Sequence, residues 1–230
     1  MRLEQVLFSQ GFGTRHECRG LVALGHVEIN GITHTDPDED VPVEGLIFSV
    51  DGVKWPYFDK VVIALNKPAG FECSQKPIHH PSVMTLLPAP LRVRGLQPVG
   101  RLDEDTTGLL ILTDDGALQH RLIHPKRHVP KTYRVTAKHP MTQAMLSTLT
   151  QGVMIEGEKT AVKAQAVEMV TDRVFNMTLT QGKYHQVKRR VAAVGNRVES
   201  LHRCQFGFYA LPDDLASGQW RFISKEDILG

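Results

Sequence analysis

The sequence predicts an α+β protein in which strands outnumber helices, and two patterns carry this prediction. Segments with alternating apolar and polar residues recur from residue 27 onward, which is typical of half-buried strands. These segments do not alternate regularly with helical ones, so a parallel βαβ architecture is not favoured. We therefore expect a mainly antiparallel mixed sheet with flanking helices.

The distribution of charge separates the chain into two parts. Residues 1–58 carry four Lys/Arg and nine Asp/Glu, a net charge of −5, whereas residues 59–230 carry 23 and 16, a net charge of +7. The first part has its own run of helices and strands, so we predict a small α/β domain over 1–58 and a larger domain over 59–230.

Composition narrows the class of protein. Hydrophobic residues make up 41% of the 230 residues and charged residues 23%, which is ordinary for a globular protein. No apolar run approaches the roughly 18 residues of a membrane span, and the first residues do not resemble a signal peptide. The cysteines, Cys18, Cys73 and Cys204, are odd in number and form no CxxC pair. We therefore expect a cytoplasmic protein with free thiols and no membrane association.

The first domain reads as two helices followed by a hairpin and a further strand. Apolar residues at helical spacing predict a helix that begins near Leu3 and ends at Gly11-Phe12-Gly13. Thr14, with Glu17 three residues later, forms a capping-box pattern for a second helix that ends near Gly25. Asn30-Gly31 predicts a two-residue hairpin turn after the strand at 27–29, and another strand follows at 46–50. Residues 55–60 are predicted to be the linker.

The larger domain is predicted to contain the following elements, in chain order: a buried strand at 61–65, a mostly irregular stretch at 77–98 with a short helix near 83–87, a strand at 109–112, a helix at 117–123, a strand at 131–138, a helix at 141–151, a strand pair at 161–170 and 174–180, a basic helix at 186–194 and a strand at 198–202.

The segment Gly100–Gly116, GRLDEDTTGLLILTDDG, is the centre of this domain. Its apolar block Leu109–Leu112 is too short for a helix and predicts a buried strand, so Asp103 lies in a loop that leads into a rigid core strand. Five acidic residues lie between positions 103 and 115, whereas residues 73–102 and 116–155 contain none and are basic. This arrangement attracts a polyanion and presents it with a carboxylate.

Several long motifs in one order resemble a known enzyme family. They are NKPAG at 66–70, GRLDEDTTGLLILTDDG at 100–116, GKYHQVKRRVAAVGN at 182–196 and ESLHR at 199–203. Together they resemble the pseudouridine synthases, and within them the ribosomal small subunit pseudouridine synthase A family. The segments RLEQVL and GTRHECRGLVALGHVEING resemble the S4-type RNA-binding domain, so the resemblance extends over essentially the whole chain.

The resemblance implies a role for each of several residues. Asp103 would be the catalytic carboxylate, acting either as nucleophile at C1′ or as the base that takes the C2′ proton. Tyr133 would stack on the target uracil and exchange protons with it. Lys188 would pair with Asp103 and favour its ionised form. Leu201 would form an apolar wall of the uridine pocket, and Arg101 would fill the gap left by the flipped base.

Four further arginines are expected to bind RNA phosphates. Arg189 and Arg190 follow Lys188 on the basic helix, and Arg15 and Arg19 lie four residues apart on one face of the second helix. Because the first domain is acidic, we expect Arg15 and Arg19 to face RNA while the acidic loop 36–40 faces away.

The predicted activity is the isomerisation of one uridine in small-subunit (16S) ribosomal RNA to pseudouridine, by a monomer that uses no cofactor or metal. Its partner would be ribosomal RNA or a ribosome-assembly particle. The KYHQVKR sequence and the short chain favour the small-subunit branch. Two alternatives stay open: a large-subunit pseudouridine synthase, and a non-catalytic RNA-binding or ribosome-assembly factor.

Overall fold

The computed structural model describes residues 1–181 and 185–230, which form two compact units. The first unit comprises residues 1–61 and 87–96, and the second comprises 62–86 and 97–230. The division predicted after residue 58 stays a prediction.

The helices are α1 (Leu3–Ser9), α2 (Arg15–Ala23), α3 (Ala89–Val93), α4 (Gly116–Ile123), α5 (Gln143–Gln151), α6 (Gln186–Ala193) and α7 (Lys225–Leu229). The strands are β1 (Val27–Ile29), β2 (Ile32–His34), β3 (Ile47–Val50), β4 (Val53–Pro56), β5 (Val62–Lys67), β6 (Gln97–Pro98), β7 (Thr107–Thr113), β8 (Lys131–Ala137), β9 (Ala166–Met169), β10 (Val174–Leu179), β11 (Val198–Phe206), β12 (Tyr209–Ala210) and β13 (Trp220–Phe222).

The first unit contains two helices and an antiparallel sheet in the order β2-β1-β3-β4. The predicted capping box is present, since Glu17 N–H donates to Thr14 Oγ1 and Thr14 N–H donates to Glu17 Oε2. The predicted hairpin turn is also present, with positive φ at Asn30 and Gly31. Buried apolar residues of α1 and α2 pack with residues of β1 and β3 to form one core.

Two features of the first unit differ from the prediction. Trp55 and Pro56 belong to β4, which pairs with β3, so the predicted linker is partly wrong. Helix α3 also lies with this unit, where Arg94 donates hydrogen bonds to Gln10 Oε1 and to the carbonyls of Phe58 and Asp59. The pattern missed this helix because its five residues lie in a proline-rich segment.

The second unit is built on a nine-stranded sheet, and this confirms the predicted fold class. The main strand order is β13-β5-β7-β11-β8-β10-β9, with β12 paired to β11 and β6 paired to β7. All these pairs are antiparallel except β7 with β11. Helices α5 and α6 contribute to the core cluster that contains β8 and β10, and α4 and α7 contribute to the one that contains β5 and β7.

Most predicted elements of this unit are present within a few residues of the predicted bounds, including the buried strand through Leu109–Leu112. Residues 161–165 are an exception, because only Ala166–Met169 form the strand β9. The strands β12 and β13 and helix α7 were not predicted, since each has at most five residues and too few positions to show a period. No helix in the described ranges is long and apolar enough to cross a membrane.

Gly108 lies at the parallel contact between β7 and β11, opposite Arg203. Its φ is +100°, and a Cβ placed there would lie 2.4 Å from the carbonyl oxygen and 2.8 Å from the nitrogen of Arg203. Both atoms belong to the backbone of a central strand, so no side-chain rotation relieves the overlap. Only glycine allows the two strands to approach this closely.

We therefore expect Gly108→Ala to lower the free energy of unfolding by about 2–4 kcal/mol, from the strained φ and the overlap together. Gly116→Ala is the matched control, because Gly116 opens α4 with nothing within 4 Å of the added methyl group. Urea unfolding of both variants measures the difference. Equal stability of Gly108→Ala and the wild type would contradict the close approach of β7 and β11.

Candidate active site

The sheet of the second unit carries a cavity of about 530 Å³ next to the loop that contains Asp103. The loop runs from β6 to β7, so the carboxylate stands four residues before a strand that is buried almost throughout. Asp103, Tyr133, Lys188, Leu201 and Arg101 all line this cavity. The structure thus brings together five predicted site residues that are up to 100 residues apart in the sequence.

Two groups from the motif at 182–196 contact Asp103, the imidazole of His185 and the ammonium of Lys188. His185 Nε2 lies 3.2 Å from Asp103 Oδ1, and Lys188 Nζ lies 3.5 Å from Asp103 Oδ2. His185 has left-handed backbone angles at the N-terminus of α6, and Lys188 lies in the first turn of that helix. The side chain of Asp103 remains 32% exposed, so its oxygens are held on one side and open to the cavity on the other.

The ammonium of Lys188 is shared between two carboxylates. It donates to both oxygens of Asp105 at 2.8 Å, which is closer than its contact with Asp103. Burial disfavours the charged ammonium, but the hydrogen bond and charge of Asp105, with the charge of Asp103, outweigh this and raise the pKa of Lys188. Burial also opposes the charge of Asp105, yet Lys188 lowers the pKa of that carboxyl. Lys188 therefore stays cationic beside Asp103, and Asp105 anchors it there.

The buried side chain of Lys67 binds the backbone of the loop that contains Asp103. This side chain is completely buried, and Nζ donates to the carbonyl oxygens of Pro68, Asp103, Glu104 and Thr106 at 2.8–3.2 Å. Burial lowers the pKa of this ammonium, while the nearby negative charges oppose the shift. One side chain from the NKPAG motif thus sets the curvature of the segment that carries Asp103.

Tyr133 and Leu201 lie on the two adjacent central strands β8 and β11. Tyr133 pairs across the strands with Arg203, and Leu201 is two residues before Arg203, so these side chains share one face of the sheet. An aromatic ring and an aliphatic wall beside a carboxylate form a slot suited to a flat, polar ring. Arg101 is exposed at the edge of the cavity, two residues before Asp103.

Comparison with known proteins identifies this arrangement. The model of the RNA pseudouridylate synthase family matches residues 61–193, and the S4 domain model matches residues 1–47. The chain belongs to the RNA pseudouridylate synthase family. This confirms the family predicted from the motifs, and it confirms the S4-like domain before it.

Relatives of this synthase match it over nearly the full length. It is 36% identical to ribosomal small subunit pseudouridine synthase A of Pasteurella multocida, covering 99% of this chain and 98% of the relative. It is 39% identical to the protein of that name from Yersinia pestis, covering 99% and 97%, and 38% identical to an uncharacterised RNA pseudouridine synthase of Bacillus subtilis, covering 99% and 97%. A crystal structure of a pseudouridylate synthase superposes with a TM-score of 0.70 at 33% identity, covering 99% and 98%.

Several residues of the synthase site were not anticipated. Lys67 was missed because its partners are backbone carbonyls, and His185 and Asp105 because no spacing rule links them to Asp103. Lys131 and Arg203 also line the cavity although both are buried. A charged residue in an alternating strand is ordinarily taken as exposed, so only three-dimensional structure reveals these two.

The predicted phosphate contacts of the basic helix need one correction. Arg189 is half-buried on α6, but Arg190 is only 2% exposed and points into the protein. Consecutive residues of a helix are turned about 100° apart, so Arg190 can be buried while Arg189 is partly exposed. Arg190 therefore does not present its charge to RNA. Gly182, Lys183 and Tyr184 of the predicted motif lie outside the described residues.

The prediction for the S4-like domain also needs correction. Arg15 is exposed and its guanidinium lies 5.2 Å from the centre of the Phe8 ring. Arg19, however, donates to both oxygens of Asp38 at 2.8–2.9 Å, and Arg2 contacts the same carboxylate. The acidic loop 36–40 therefore does not face away from the arginine face, because Asp38 binds it directly.

Proposed function

We propose that this synthase converts one uridine of small-subunit ribosomal RNA into pseudouridine, in the cytoplasm and as a monomer, with Asp103 as the catalytic carboxylate. The assignment of the site rests on the position of Asp103. It is fixed by the buried Lys67 beneath its backbone, contacted by His185 and Lys188, and open to a cavity of nucleoside size. The substrate follows from the two relatives named for the small subunit, which match over nearly their whole length.

The reaction breaks the C1′–N1 bond of the uridine, turns the detached uracil and joins C5 to C1′. Asp103 either adds to C1′ or removes the C2′ proton, and in both routes the electron pair of the broken bond leaves with uracil. When C5 bonds to C1′, the Asp103–C1′ bond breaks in the first route, and the proton returns to C2′ in the second. Both roles use the carboxylate oxygens of Asp103, one of which lies 3.5 Å from the ammonium of Lys188. The C5 proton is released when the new bond forms, and N1 gains a proton, so the composition of the RNA is unchanged.

Release of tritium from RNA labelled at C5 of uridine tests this function directly. We expect release from a small-subunit ribosomal transcript or assembly particle, with one equivalent per RNA. Release from large-subunit RNA alone would support the alternative subunit, and RNA binding without release from either would support a non-catalytic assembly factor.

Tyr133 is proposed to stack on the flipped uracil and to exchange a proton with it through its hydroxyl group. We expect Tyr133→Phe to bind RNA as the wild type does but to react at least about 100-fold more slowly, which is typical of a lost proton-transfer group. Tyr133→Ala should in addition bind more weakly, because base–aromatic stacking contributes about 1–3 kcal/mol. Equilibrium binding and single-turnover rates separate the two effects, and equal affinity of both variants would contradict a stacking role.

Asp38 is expected to limit RNA binding by the S4-like domain, since it neutralises Arg19 and contacts Arg2. Asp38→Asn should release these cations, strengthen binding and steepen the dependence of log affinity on log salt by about 0.7–0.9 per additional phosphate contact. Conversely, Arg15→Glu combined with Arg19→Glu should weaken binding and flatten the slope. Filter binding between low and high salt measures both, and unchanged slopes would show that this helix face does not contact RNA.

A further inference from the structure

The cavity contains two buried cations that the proposed steps have not used. Lys131 is 9% exposed and Arg203 is 2% exposed, and both line the cavity together with Asp103 and Tyr133. Lys131 Nζ donates to the carbonyl of Val129 at 2.8 Å, and Arg203 Nε donates to the carbonyl of Leu109 at 2.7 Å. Within residues 1–181 and 185–230, no carboxylate pairs with either of them. In the part of the chain that the structure describes, two positive charges are therefore buried together without a counter-ion.

Their arrangement indicates an unmet requirement for a negative group. The Arg203 Nη2 atom is buried and has no hydrogen-bond partner in the described protein. Lys131 Nζ and the Arg203 guanidinium lie 5.0 and 5.2 Å from the centre of the same Phe206 ring. Leaving a buried donor unpaired and bringing like charges together are both unfavourable. Such a pair is expected where a ligand brings the missing charge.

The position of Lys131 and Arg203 in the cavity determines which part of the RNA can contact them. Lys131 precedes Tyr133 by two residues on β8, and Arg203 follows Leu201 by two residues on β11, so the cations continue the faces that carry the proposed base-binding slot. A backbone phosphate stays joined to the neighbouring nucleotides outside the cavity, whereas a flipped base enters it most deeply. Because Lys131 and Arg203 are less than one-tenth exposed, the flipped base can reach them and a backbone phosphate cannot.

We propose that Lys131 and Arg203 form a cationic subsite that stabilises uracil as an anion after the C1′–N1 bond breaks. The proposal rests on the proposed function. The electron pair that leaves C1′ resides on N1 and is delocalised onto O2 and O4, and a fixed ammonium and guanidinium neutralise that charge as it develops. This need arises whether Asp103 acts as nucleophile or as base. When C5 bonds to C1′, the base becomes neutral, and it stays neutral as C5 loses its proton and N1 gains one, so its attraction to the subsite weakens.

The pKa of Lys131 is consistent with this role. Burial, and then the charge of Arg203, lower the pKa of the Lys131 ammonium to about 8. The amine is therefore mostly protonated at pH 7, and an anion in the subsite would hold its proton more firmly.

Lys131→Met is the decisive variant because methionine keeps the length of the side chain and removes the charge. On uridine-containing ribosomal RNA at saturation, we expect its single-turnover rate to fall about 100-fold, as for other lost charge-stabilising donors. Lys131→Arg should recover most of this rate. Lys138→Met is the matched control, since Lys138 is an exposed lysine just after the end of the same strand.

RNA that carries 5-fluorouridine at the target position distinguishes charge stabilisation from a structural role. Fluorine withdraws electrons and stabilises detached uracil by itself, so the protein cation matters less. The C5-linked product keeps its fluorine, because C5 then has no proton to release. We expect the ratio of wild-type to Lys131→Met rates for formation of the C5-linked nucleoside to fall from about 100 on uridine to about 10 or less on 5-fluorouridine. Nucleosides from digested RNA, separated by chromatography, give both ratios.

Three results would overturn the proposal. The first is a Lys131→Met rate within threefold of wild type on uridine. The second is the same ratio on both bases, which would indicate a structural contribution. The third is an unchanged saturated rate with a salt slope flatter by about 0.7–0.9, which would assign Lys131 to a phosphate. Wild-type protein that releases no tritium from ribosomal RNA would instead contradict the proposed function itself.

Discussion

Asp103→Asn is expected to abolish pseudouridine formation while RNA binding stays close to that of the wild type. The amide has nearly the same shape as the carboxylate, but it neither adds to C1′ nor takes the C2′ proton. Loss of a general base alone slows reactions by about 10²–10⁴-fold, and loss of a nucleophile removes the covalent route altogether. His185 contacts Oδ1 and Lys188 contacts Oδ2, so an amide retains the contact at its one remaining oxygen.

Glu104→Gln is the matched control for this prediction. Glu104 is the exposed neighbour of Asp103, and its backbone carbonyl accepts hydrogen bonds from Lys67 Nζ and from the N–H of Gly70. Its side-chain substitution should leave tritium release within about twofold of the wild type. If Asp103→Asn retains a rate within tenfold of wild type in the same assay, another group performs the chemistry.

Lys67→Met is expected to have the second largest effect, on stability and on activity together. The substitution removes the ammonium that joins four carbonyl oxygens, and the loop 103–106 loses this internal support. The carbonyls of Asp103 and Glu104 keep backbone N–H donors from Thr106 and Gly70, whereas those of Pro68 and Thr106 lose their donor. Unsatisfied buried acceptors cost about 1–3 kcal/mol each, and partial relaxation toward water reduces the sum. We expect the free energy of unfolding to fall by about 3–5 kcal/mol.

The catalytic consequence of Lys67→Met is separable from this loss of stability. At a temperature where urea unfolding shows the variant to be folded, we expect the single-turnover rate to remain at least about 100-fold low, because a misplacement of about 1 Å has an effect of that size. Lys138→Met provides the control for removal of one lysine. A folded Lys67→Met protein with the wild-type rate would show that Lys67 stabilises the domain without positioning Asp103.

The sequence predicted those parts of the fold that depend on local chemistry. The Thr14–Glu17 capping box, the Asn30-Gly31 turn and the strand through Leu109–Leu112 each follow from a pattern within a few residues, and the structure contains all three. The strand order could not be derived in this way, because it depends on contacts between residues 90–100 positions apart, such as the pairing of Gly108 with Arg203.

As with the fold, the sequence predicted the parts of the site that depend on a local motif, but not the contacts between residues that are distant in the chain. The motifs located Asp103 and the helix that begins after His185, but they gave no indication that Lys188 lies closer to Asp105 than to Asp103. The burial of Arg190 and the pairing of Arg19 with Asp38 were also hidden, since each depends on which surface a neighbouring element covers. Charge alone does not reveal whether a side chain faces solvent.

The central position of β11 in the sheet has a consequence for when activity arises during synthesis. This strand lies between β7 and β8, and it supplies Leu201 and Arg203 to the cavity, yet it is made about 100 residues after Asp103. At 5–20 residues per second, the growing chain carries its reactive carboxylate for about 5–20 s before that strand exists. During this interval β7 has no parallel neighbour and the cavity has no wall opposite Tyr133. A nascent chain is therefore inert toward the RNA that surrounds it, and activity begins only after β11 has been synthesised.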